Sequence, residues 1–515
     1  MTRSGTVGLV ALGVACVAAL SVVSAAPRVG TKAGPVGAVS VVVPAFVDHH
    51  VHVFNVGWWL LQAQRHDLNH VSVGNAKSEA EVVQRVATAA GNSRPGWITG
   101  FGWNQEAWGT SVLPSLNAIS TAIGRVPVAL ARTDGHALWV NRAALDAAGL
   151  SSVSTGVLLE RAVEPVVARI PAPPDSDIAT AWRLGAEALA ARGVLRVYDA
   201  GVLALPGVAA MNTDFARYAR VLAQADRQRA LPIAIHLMIP APSRYAESVL
   251  AMSATARRLS PNVRITHLKL FADGAFGSRG AALSHAYADD PHTHGVLRMT
   301  SREIAQWARR ALDAGLDVAT HAIGDQAVKE VLDAYEMVLR ERPRLVPGRL
   351  RIEHFSYARE GDFARAVRLG VALSVQSNFN TPRGVSPTFA EQRLGVANAP
   401  RAYAWDRLDR MGALLVEGSD YFGEPGAPMA GMQAGLTGIN AIGDRGDTPA
   451  VRMRLIGLTR AWLAPGGGLE LGGGDSVALS GDPLAVSLDS LRGIRVLSVQ
   501  RRVTPPGLSP ARRIR

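Results

Sequence analysis

The feature that most limits the fold of this chain is a regular alternation of short β-branched runs with amphipathic helical stretches. Such alternation predicts an α/β fold, in which helices connect the strands of a parallel sheet. About eight such units in roughly 400 residues fit a closed (β/α)8 barrel of the TIM type better than an open sheet. The predicted strands span residues 40–46, 96–100, 126–131, 194–198, 233–238, 263–270, 316–320, 350–353, 371–375 and 413–417.

The composition of the sequence changes near residue 430. Glycines are concentrated in residues 465–474, and short strands are predicted at 476–479 and 494–499. We therefore expect a small β appendage after the barrel. The predicted organisation is a leader at 1–26, a linker at 27–39, the barrel at 40–430, and C-terminal helices, the β appendage and a basic tail at 431–515.

Polar residues follow several predicted strands at the point where the strand ends, which is where barrels of this type place functional groups. His50 and His52 follow the first strand, and because residues i and i+2 of an extended chain share a side, they can share one metal ion. Later strands end in Lys269, His321, His354 and Asp420. A single buried histidine is usually a core residue with satisfied hydrogen bonds. Four histidines, one lysine and one aspartate at successive strand ends instead predict two divalent ions, Zn²⁺ first, with Mn or Fe as alternatives.

Lys269 lies in an apolar strand, although lysine is rare in this chain. Only four of the 54 basic residues are lysines. A cationic amine would be repelled by two metal ions and is costly to bury. Reaction with CO₂ would convert the amine to an anionic carbamate that can bridge both ions. The alternative, a lysine whose amine extends to the surface, fits the apolar neighbours Leu268 and Leu270 less well.

Seven segments together resemble the amidohydrolase superfamily. Their order resembles its amidohydrolase family 3 branch, which includes YtcJ-like and N-substituted formamide deformylase-like proteins. The segments are 43–52 (VPAFVDHHVH), 100–104 (GFGWN), 132–141 (RTDGHALWVN), 269–275 (KLFADGA), 321–327 (HAIGDQA), 353–354 (EH) and 418–420 (GSD). The resemblance covers roughly residues 40–425.

The resemblance implies a binuclear site and a hydrolytic reaction on a small-molecule substrate. His50, His52, Lys269 and Asp420 would hold one ion, and Lys269, His321 and His354 the other. A hydroxide that bridges the ions would attack a carbonyl, and Asp420 would move the proton to the leaving nitrogen. The implied function is hydrolysis of non-peptide carbon-nitrogen bonds, as in amides or N-formyl amines. Three alternatives stay open: hydrolysis of a lactone or ester, deamination of a ring, and a degenerate barrel without catalysis.

Three further residues are candidates for substrate contact. His136 is predicted to hold the substrate oxygen, although a histidine that only structures its loop is an equal alternative. Trp103 and Asp273 are predicted to line the pocket, while Asp273-Gly274 is also compatible with a turn.

The sequence departs from the family pattern at several positions. His49 replaces a small residue, Ser377 replaces proline, and Tyr421 stands near a position where proline is usual. Members of this family normally carry a β-sandwich made from both chain ends, and here an apolar leader replaces most of its N-terminal share. We therefore expect a truncated sandwich, whose open edges favour a homodimer.

Charge and cysteine content exclude other classes of protein. The formal net charge is +12, but the basic residues are spread along the chain without a nucleic-acid motif, so scattered surface charge is the favoured interpretation and no nucleic acid is expected. The single cysteine, Cys16, excludes an internal disulfide framework and cysteine-cluster metal sites.

The N-terminal segment allows three interpretations. Arg3 precedes an apolar stretch over residues 7–23, and small residues follow at 24–26. This pattern is typical of a secretory signal peptide. An uncleaved anchor that associates with a membrane is the second interpretation, and a mis-assigned start is the third. The protein would be secreted or membrane-anchored if the segment is a true signal, and cytoplasmic otherwise.

Overall fold

The computed structural model describes residues 41–65, 69–93, 95–110, 112–202, 215–379, 388–421, 428–437, 462, 475–485 and 488–501. The predicted leader at 1–26, the linker at 27–39 and the glycine-rich stretch at 465–474 lie outside these residues. So does the basic tail after Arg501. None of the described helices combines the length and apolarity needed to cross a membrane.

The described residues form sixteen strands and fourteen α-helices. The strands are β1 Val41–Pro44, β2 Phe46–Val51, β3 His70–Ser72, β4 Ile98–Trp103, β5 Val128–Arg132, β6 Ala137–Val140, β7 Val157–Leu159, β8 Val194–Asp199, β9 Ala234–Pro240, β10 Val263–Phe271, β11 Asp317–Ala322, β12 Leu350–His354, β13 Ala372–Val375, β14 Leu414–Glu417, β15 Ser476–Leu479 and β16 Val496–Gln500. The helices are α1 Val53–Arg65, α2 Glu79–Asn92, α3 Leu116–Ile123, α4 Arg142–Ala147, α5 Glu164–Val167, α6 Asp175–Ala190, α7 Phe215–Gln228, α8 Arg244–Leu250, α9 Ser301–Asp313, α10 Asp325–Glu341, α11 Glu360–Arg368, α12 Phe389–Leu394, α13 Trp405–Arg410 and α14 Pro428–Thr437.

Eight parallel strands form the barrel. Their order is β2, β8, β9, β10, β11, β12, β13 and β14, and every neighbouring pair is parallel. The prediction of a (β/α)8 barrel of the TIM type is therefore confirmed. The main apolar core lies between these strands and the surrounding helices, while a small apolar cluster of Ala200, Met238 and Ala319 lies inside the barrel.

The barrel is closed between β2 and β14 by a seam of four residues: Asp48, His50, Ser419 and Asp420. The Asp420 backbone N–H donates to the His50 carbonyl at 2.6 Å. The Ser419 backbone N–H donates to Asp48 Oδ1 at 2.9 Å, and the Ser419 hydroxyl lies at 2.5 Å from Asp48 Oδ2. These bonds join the first and last barrel strands at their carboxyl ends.

Helices α1 and α6 cross at unusually close range beside β2. A Cβ atom at Gly57 would lie 1.6 Å from the Ala181 carbonyl oxygen, and one at Gly185 would lie 2.1 Å from the Val53 oxygen. Only glycine allows this approach. The contact matters for function because α1 starts directly after His52, so its position fixes the end of β2.

A separate five-stranded sheet is inserted between α1 and α6. Its order is β3, β4, β5, β6 and β7, with β3 to β5 parallel and β5 to β7 antiparallel. The strands predicted at 96–100 and 126–131 belong to this insertion and not to the barrel. A strand's own composition predicts that it is buried, but it does not say which sheet it joins.

The β appendage uses both ends of the described chain. Strands β1, β15 and β16 form an antiparallel sheet in the order β1, β15, β16. The run predicted as one strand at 40–46 is divided at Ala45, so that β1 enters the appendage and β2 enters the barrel. The predicted small β appendage is therefore present, and its strands at 476–479 and 494–499 correspond to β15 and β16.

Candidate metal centre

Four of the predicted ligands meet at the carboxyl end of the barrel. His50 Nε2 and His52 Nε2 lie 3.4 Å and 3.3 Å from the same oxygen, Oδ1 of Asp420. The Lys269 amine lies 3.4 Å from His50 Nε2. These four groups come from β2 and the residue after it, from β10 and from the residues after β14, which are distant in sequence and adjacent in the barrel.

The remaining two predicted ligands complete the group. The ring centroid of His354 lies 4.9 Å from that of His50 and 4.6 Å from that of His321. His50, His354 and Asp420 each offer a ligand atom, and these atoms lie within 4.8 Å of one another. All six predicted ligands are therefore brought together, at the ends of five strands.

The backbone is strained at two of these ligands. His354 has a φ of 77° and Asp420 a φ of 49°, which residues with a side chain rarely adopt. The turn after β14 approaches His50 closely enough to present Asp420.

Neighbouring acceptors fix the orientation of three imidazoles. His50 Nδ1 contacts Oε2 of Glu353, while His52 Nδ1 lies 2.7 Å from the Gly201 carbonyl. His354 Nδ1 lies 2.7 Å from Oε1 of Gln376. Each arrangement assigns the proton to Nδ1, so Nε2 is the ring nitrogen whose lone pair can bind a metal ion.

Burial lowers the pKa of three predicted ligands and so favours their uncharged forms. Burial lowers the pKa of both His321 and His354 well below the usual value, so both rings are neutral near pH 7. Burial also lowers the pKa of Lys269 to about 8, against the opposing effect of the Glu353 and Asp420 carboxylates. Lys269 therefore has a larger uncharged fraction near neutral pH than an exposed lysine.

Comparison with known proteins agrees with this geometry. The profile of the amidohydrolase family, Amidohydro_3, matches residues 40–462. The chain belongs to this family.

Relatives and solved structures extend the likeness. The putative amidohydrolase YtcJ of Bacillus subtilis is 28% identical over 419 residues, covering 77% of this chain and 73% of the relative. N-substituted formamide deformylase of Arthrobacter pascens is 27% identical over 356 residues, covering 64% of this chain and 62% of that enzyme. The crystal structure of an uncharacterized metal-dependent hydrolase from Pyrococcus horikoshii OT3 superposes with a TM-score of 0.61 at 26% identity, covering 87% of this chain and 88% of that one. The protein is a metal-dependent hydrolase.

In this hydrolase the insertion supplies a histidine to the edge of the metal centre. The ring centroid of His136 lies 5.4 Å from that of His321. His136 Nδ1 lies 3.1 Å from Oε1 of Glu160, and Arg298 donates to the other oxygen of Glu160 at 3.0 Å. Burial alone would lower the pKa of His136, but Glu160 outweighs it and raises that pKa to about 9. His136 is therefore a cation held beside a predicted ligand.

Glu160 is a functional candidate that the sequence analysis missed. Its φ of 51° is unusual for a residue with a side chain. Its backbone N–H donates to the His136 carbonyl at 3.0 Å, so both its backbone and its side chain hold His136. Polar residues directly after barrel strands are the candidates that the sequence predicts. Glu160 is not among them, because Glu160 follows β7 of the insertion.

The structure places Asp273 beside His321 and Trp103 within the inserted sheet. Asp273 is fully buried and accepts three backbone N–H bonds, and its Oδ1 lies 3.4 Å from His321 Nε2. It can therefore orient His321. Trp103 is fully buried in the insertion, where its indole N–H donates to the Leu130 carbonyl at 2.8 Å and its ring packs against Trp108 and Trp139. The structure does not bring Trp103 to the metal centre.

Proposed function

We propose that this hydrolase cleaves non-peptide carbon-nitrogen bonds, as in amides or N-formyl amines, with the aid of two divalent ions. Zn²⁺ is the first candidate for these ions. The observation that carries the proposal is the convergence of four histidines, one buried lysine and one aspartate at the carboxyl end of the barrel. The Arthrobacter pascens relative, named for deformylation of N-substituted formamides, supports the choice of bond.

The donor set fits two ions. The Nδ1 atoms of His50, His52 and His354 face acceptors, so the Nε2 atoms of these three rings would be the ones that bind metal. Imidazole and carboxylate donors together suit Zn²⁺, Mn²⁺ or Fe²⁺. We propose that His50, His52, Lys269 and Asp420 hold one ion, and Lys269, His321 and His354 the other.

Lys269 would serve both ions as a carbamate. The uncharged Nζ would attack the carbon of CO₂. A C–N bond would form while one C=O π bond breaks and its electron pair moves to oxygen, and one N–H proton would leave to solvent. The lowered pKa of Lys269 favours this step, because only the uncharged amine has the lone pair that attacks. The carbamate is negatively charged, so two metal cations would stabilise it. An ammonium group at the same place is positively charged, and the two cations would repel it.

When bound, the ions would supply a lowered pKa for water and polarisation of the substrate carbonyl. The protein would supply the proton transfer. Asp420 lies within 3.4 Å of both His50 and His52 and is only slightly exposed, so one of its carboxylate oxygens can accept a proton and release it to the leaving nitrogen.

His136 would hold the substrate oxygen. Its Nδ1 is committed to Glu160, which leaves the Nε2–H as the free donor. A charged donor in a site that excludes water stabilises developing negative charge more strongly than a neutral one. Asp273 would act through His321, and a role for Trp103 in lining the pocket stays a prediction.

The test is a substrate panel with the metal-loaded protein. The chain would be reconstituted with Zn²⁺, Mn²⁺ or Fe²⁺ in the presence of bicarbonate, and its metal content measured. We expect about two ions per chain and hydrolysis of N-formyl amines or other amides. Fewer than one ion per chain would overturn the binuclear site, and turnover of lactones or aminated rings alone would overturn the choice of bond.

A further inference from the structure

The amino end of the barrel interior holds a second group of polar side chains, which we call the floor cluster: Arg196 on β8, His236 on β9 and Arg264 on β10. His236 pairs in register with Tyr198 on one side and with Arg264 on the other. The Tyr198 ring packs against His236 at 4.9 Å and borders the interior cluster of Met238 and Ala319. Since alternate residues of a strand share a face, Arg196 also faces the interior.

Two arginines at strand β12 have carboxylate partners. Arg351 pairs with Glu353. Arg349, directly before β12, lies 2.5 Å from Asp317. In these pairs the cost of burying each charge is offset by its partner.

The floor cluster has no such partner in the part of the chain that the structure describes. There, no ion pair joins Arg196, His236 or Arg264 to an aspartate or glutamate, and the buried Arg196 Nε and His236 Nδ1 have no hydrogen-bond partner. Arg258, which bridges to Arg264 through its backbone, adds another positive charge. Burial together with the nearby arginines lowers the pKa of His236 to about 3, and the same two causes lower that of Arg264.

The cluster is open to solvent at one side. Arg264 is exposed, while Arg196 and His236 are partly buried. A small ion can therefore enter at the amino end of the barrel, opposite the metal centre. The guanidinium groups offer several N–H donors in a planar fork, and a neutral His236 still donates through one ring N–H.

We propose that the floor cluster binds a small tetrahedral oxyanion of the phosphate or sulfate class. Such an ion would satisfy the unpaired donors and remove the repulsion between the two arginines. Its chemical source is either free phosphate or the phosphoryl group of a small phosphomonoester. The site lies outside the proposed reaction, so its failure and the failure of the proposed function are separate results.

The experiment is calorimetric titration of the metal-loaded protein with inorganic phosphate and, separately, with glycerol phosphate, in a buffer free of other oxyanions. We compare wild type with Arg196→Gln/Arg264→Gln, and use Arg340→Gln, which changes a largely exposed arginine on α10, as the matched control. Phosphate also binds metal ions, so the titration is repeated after chelation to isolate the floor cluster.

We expect the chelated wild type and the control to bind phosphate, and the double variant to bind at least about tenfold more weakly. The tighter of the two ligands identifies the source. Equal affinity in the double variant, or complete loss of binding on chelation, would overturn the proposal. Thermal unfolding without phosphate verifies that the double variant is folded, and single Gln variants replace it if it is not.

Discussion

The two ends of the barrel bury charge in opposite ways. At the carboxyl end, cations and anions are interleaved, as in the contacts that run from Arg351 through Glu353 to His50. At the amino end, Arg196, His236 and Arg264 face one another without a carboxylate among the described residues. The comparison teaches that the end with both positive and negative side chains can orient the proposed metal ligands before an ion binds. At the end with only positive side chains, an added anion would supply the missing negative charge.

Replacement of Lys269 should give the largest effect, because it removes the ligand shared by both proposed ions. Lys269→Ala is expected to lose bound metal and to lower kcat/KM by on the order of 10³-fold, or about 4 kcal/mol. Metal analysis and turnover of the preferred substrate measure both losses. Lys329→Ala is the control, since that lysine pairs with Asp333 on the surface of α10. Activity near that of wild type in Lys269→Ala would remove the carbamate from the proposal.

Replacement of His136 separates substrate binding from metal binding at the carboxyl end. His136→Asn is expected to lower kcat by about 10²-fold, because a donor to developing charge is lost. Glu160→Gln should give a smaller loss in the same direction, since it weakens the charge on His136. Both variants should keep the metal content of wild type. A loss of metal in either one would mean that the pair only supports the fold near His321.

Glu353→Gln tests whether the balance of charge at the carboxyl end prepares the ligands. The change removes the negative charge that faces both His50 and Arg351, and metal affinity is expected to fall about 10- to 100-fold. Competition with a chelator measures this affinity. The control is Glu341→Gln, which breaks a surface pair with Arg309. Unchanged affinity would show that His50 needs no charged acceptor.

Arg196→Leu should give the smallest effect on stability. In buffer without oxyanions it is expected to change the free energy of unfolding by less than about 1 kcal/mol, or to increase it, because a partly buried cation without a carboxylate partner among the described residues is removed. Urea unfolding of the metal-loaded protein measures the change. If Arg196→Leu destabilises the fold by several kcal/mol, Arg196 has a stabilising partner and the two ends do not differ as described.

The meeting of the six proposed ligands at one end of the barrel could be predicted because two local signals coincide in these residues. The composition of each strand predicts where the strand ends. In a TIM-type barrel, the carboxyl ends of all eight strands lie at the same end of the barrel. The membership of strands 96–100 and 126–131 in the insertion could not be predicted, because it depends on pairing between distant segments. Glu160 was missed for the same reason. The floor cluster was missed because Arg196 and Arg264 resemble the many arginines scattered along this chain.

The seam between β2 and β14 implies that a bound metal ion would stabilise the closed barrel against local opening. His50 and Asp420 belong both to the proposed ion site and to the bonds that close the barrel. An ion bound there would favour the closed ring over the open one by about 4 kcal/mol when its concentration exceeds the dissociation constant 1,000-fold. A newly synthesised chain that has not met metal would open first at this point. Proteases and quality-control factors would therefore encounter the ends of β2 and β14 before the rest of the barrel.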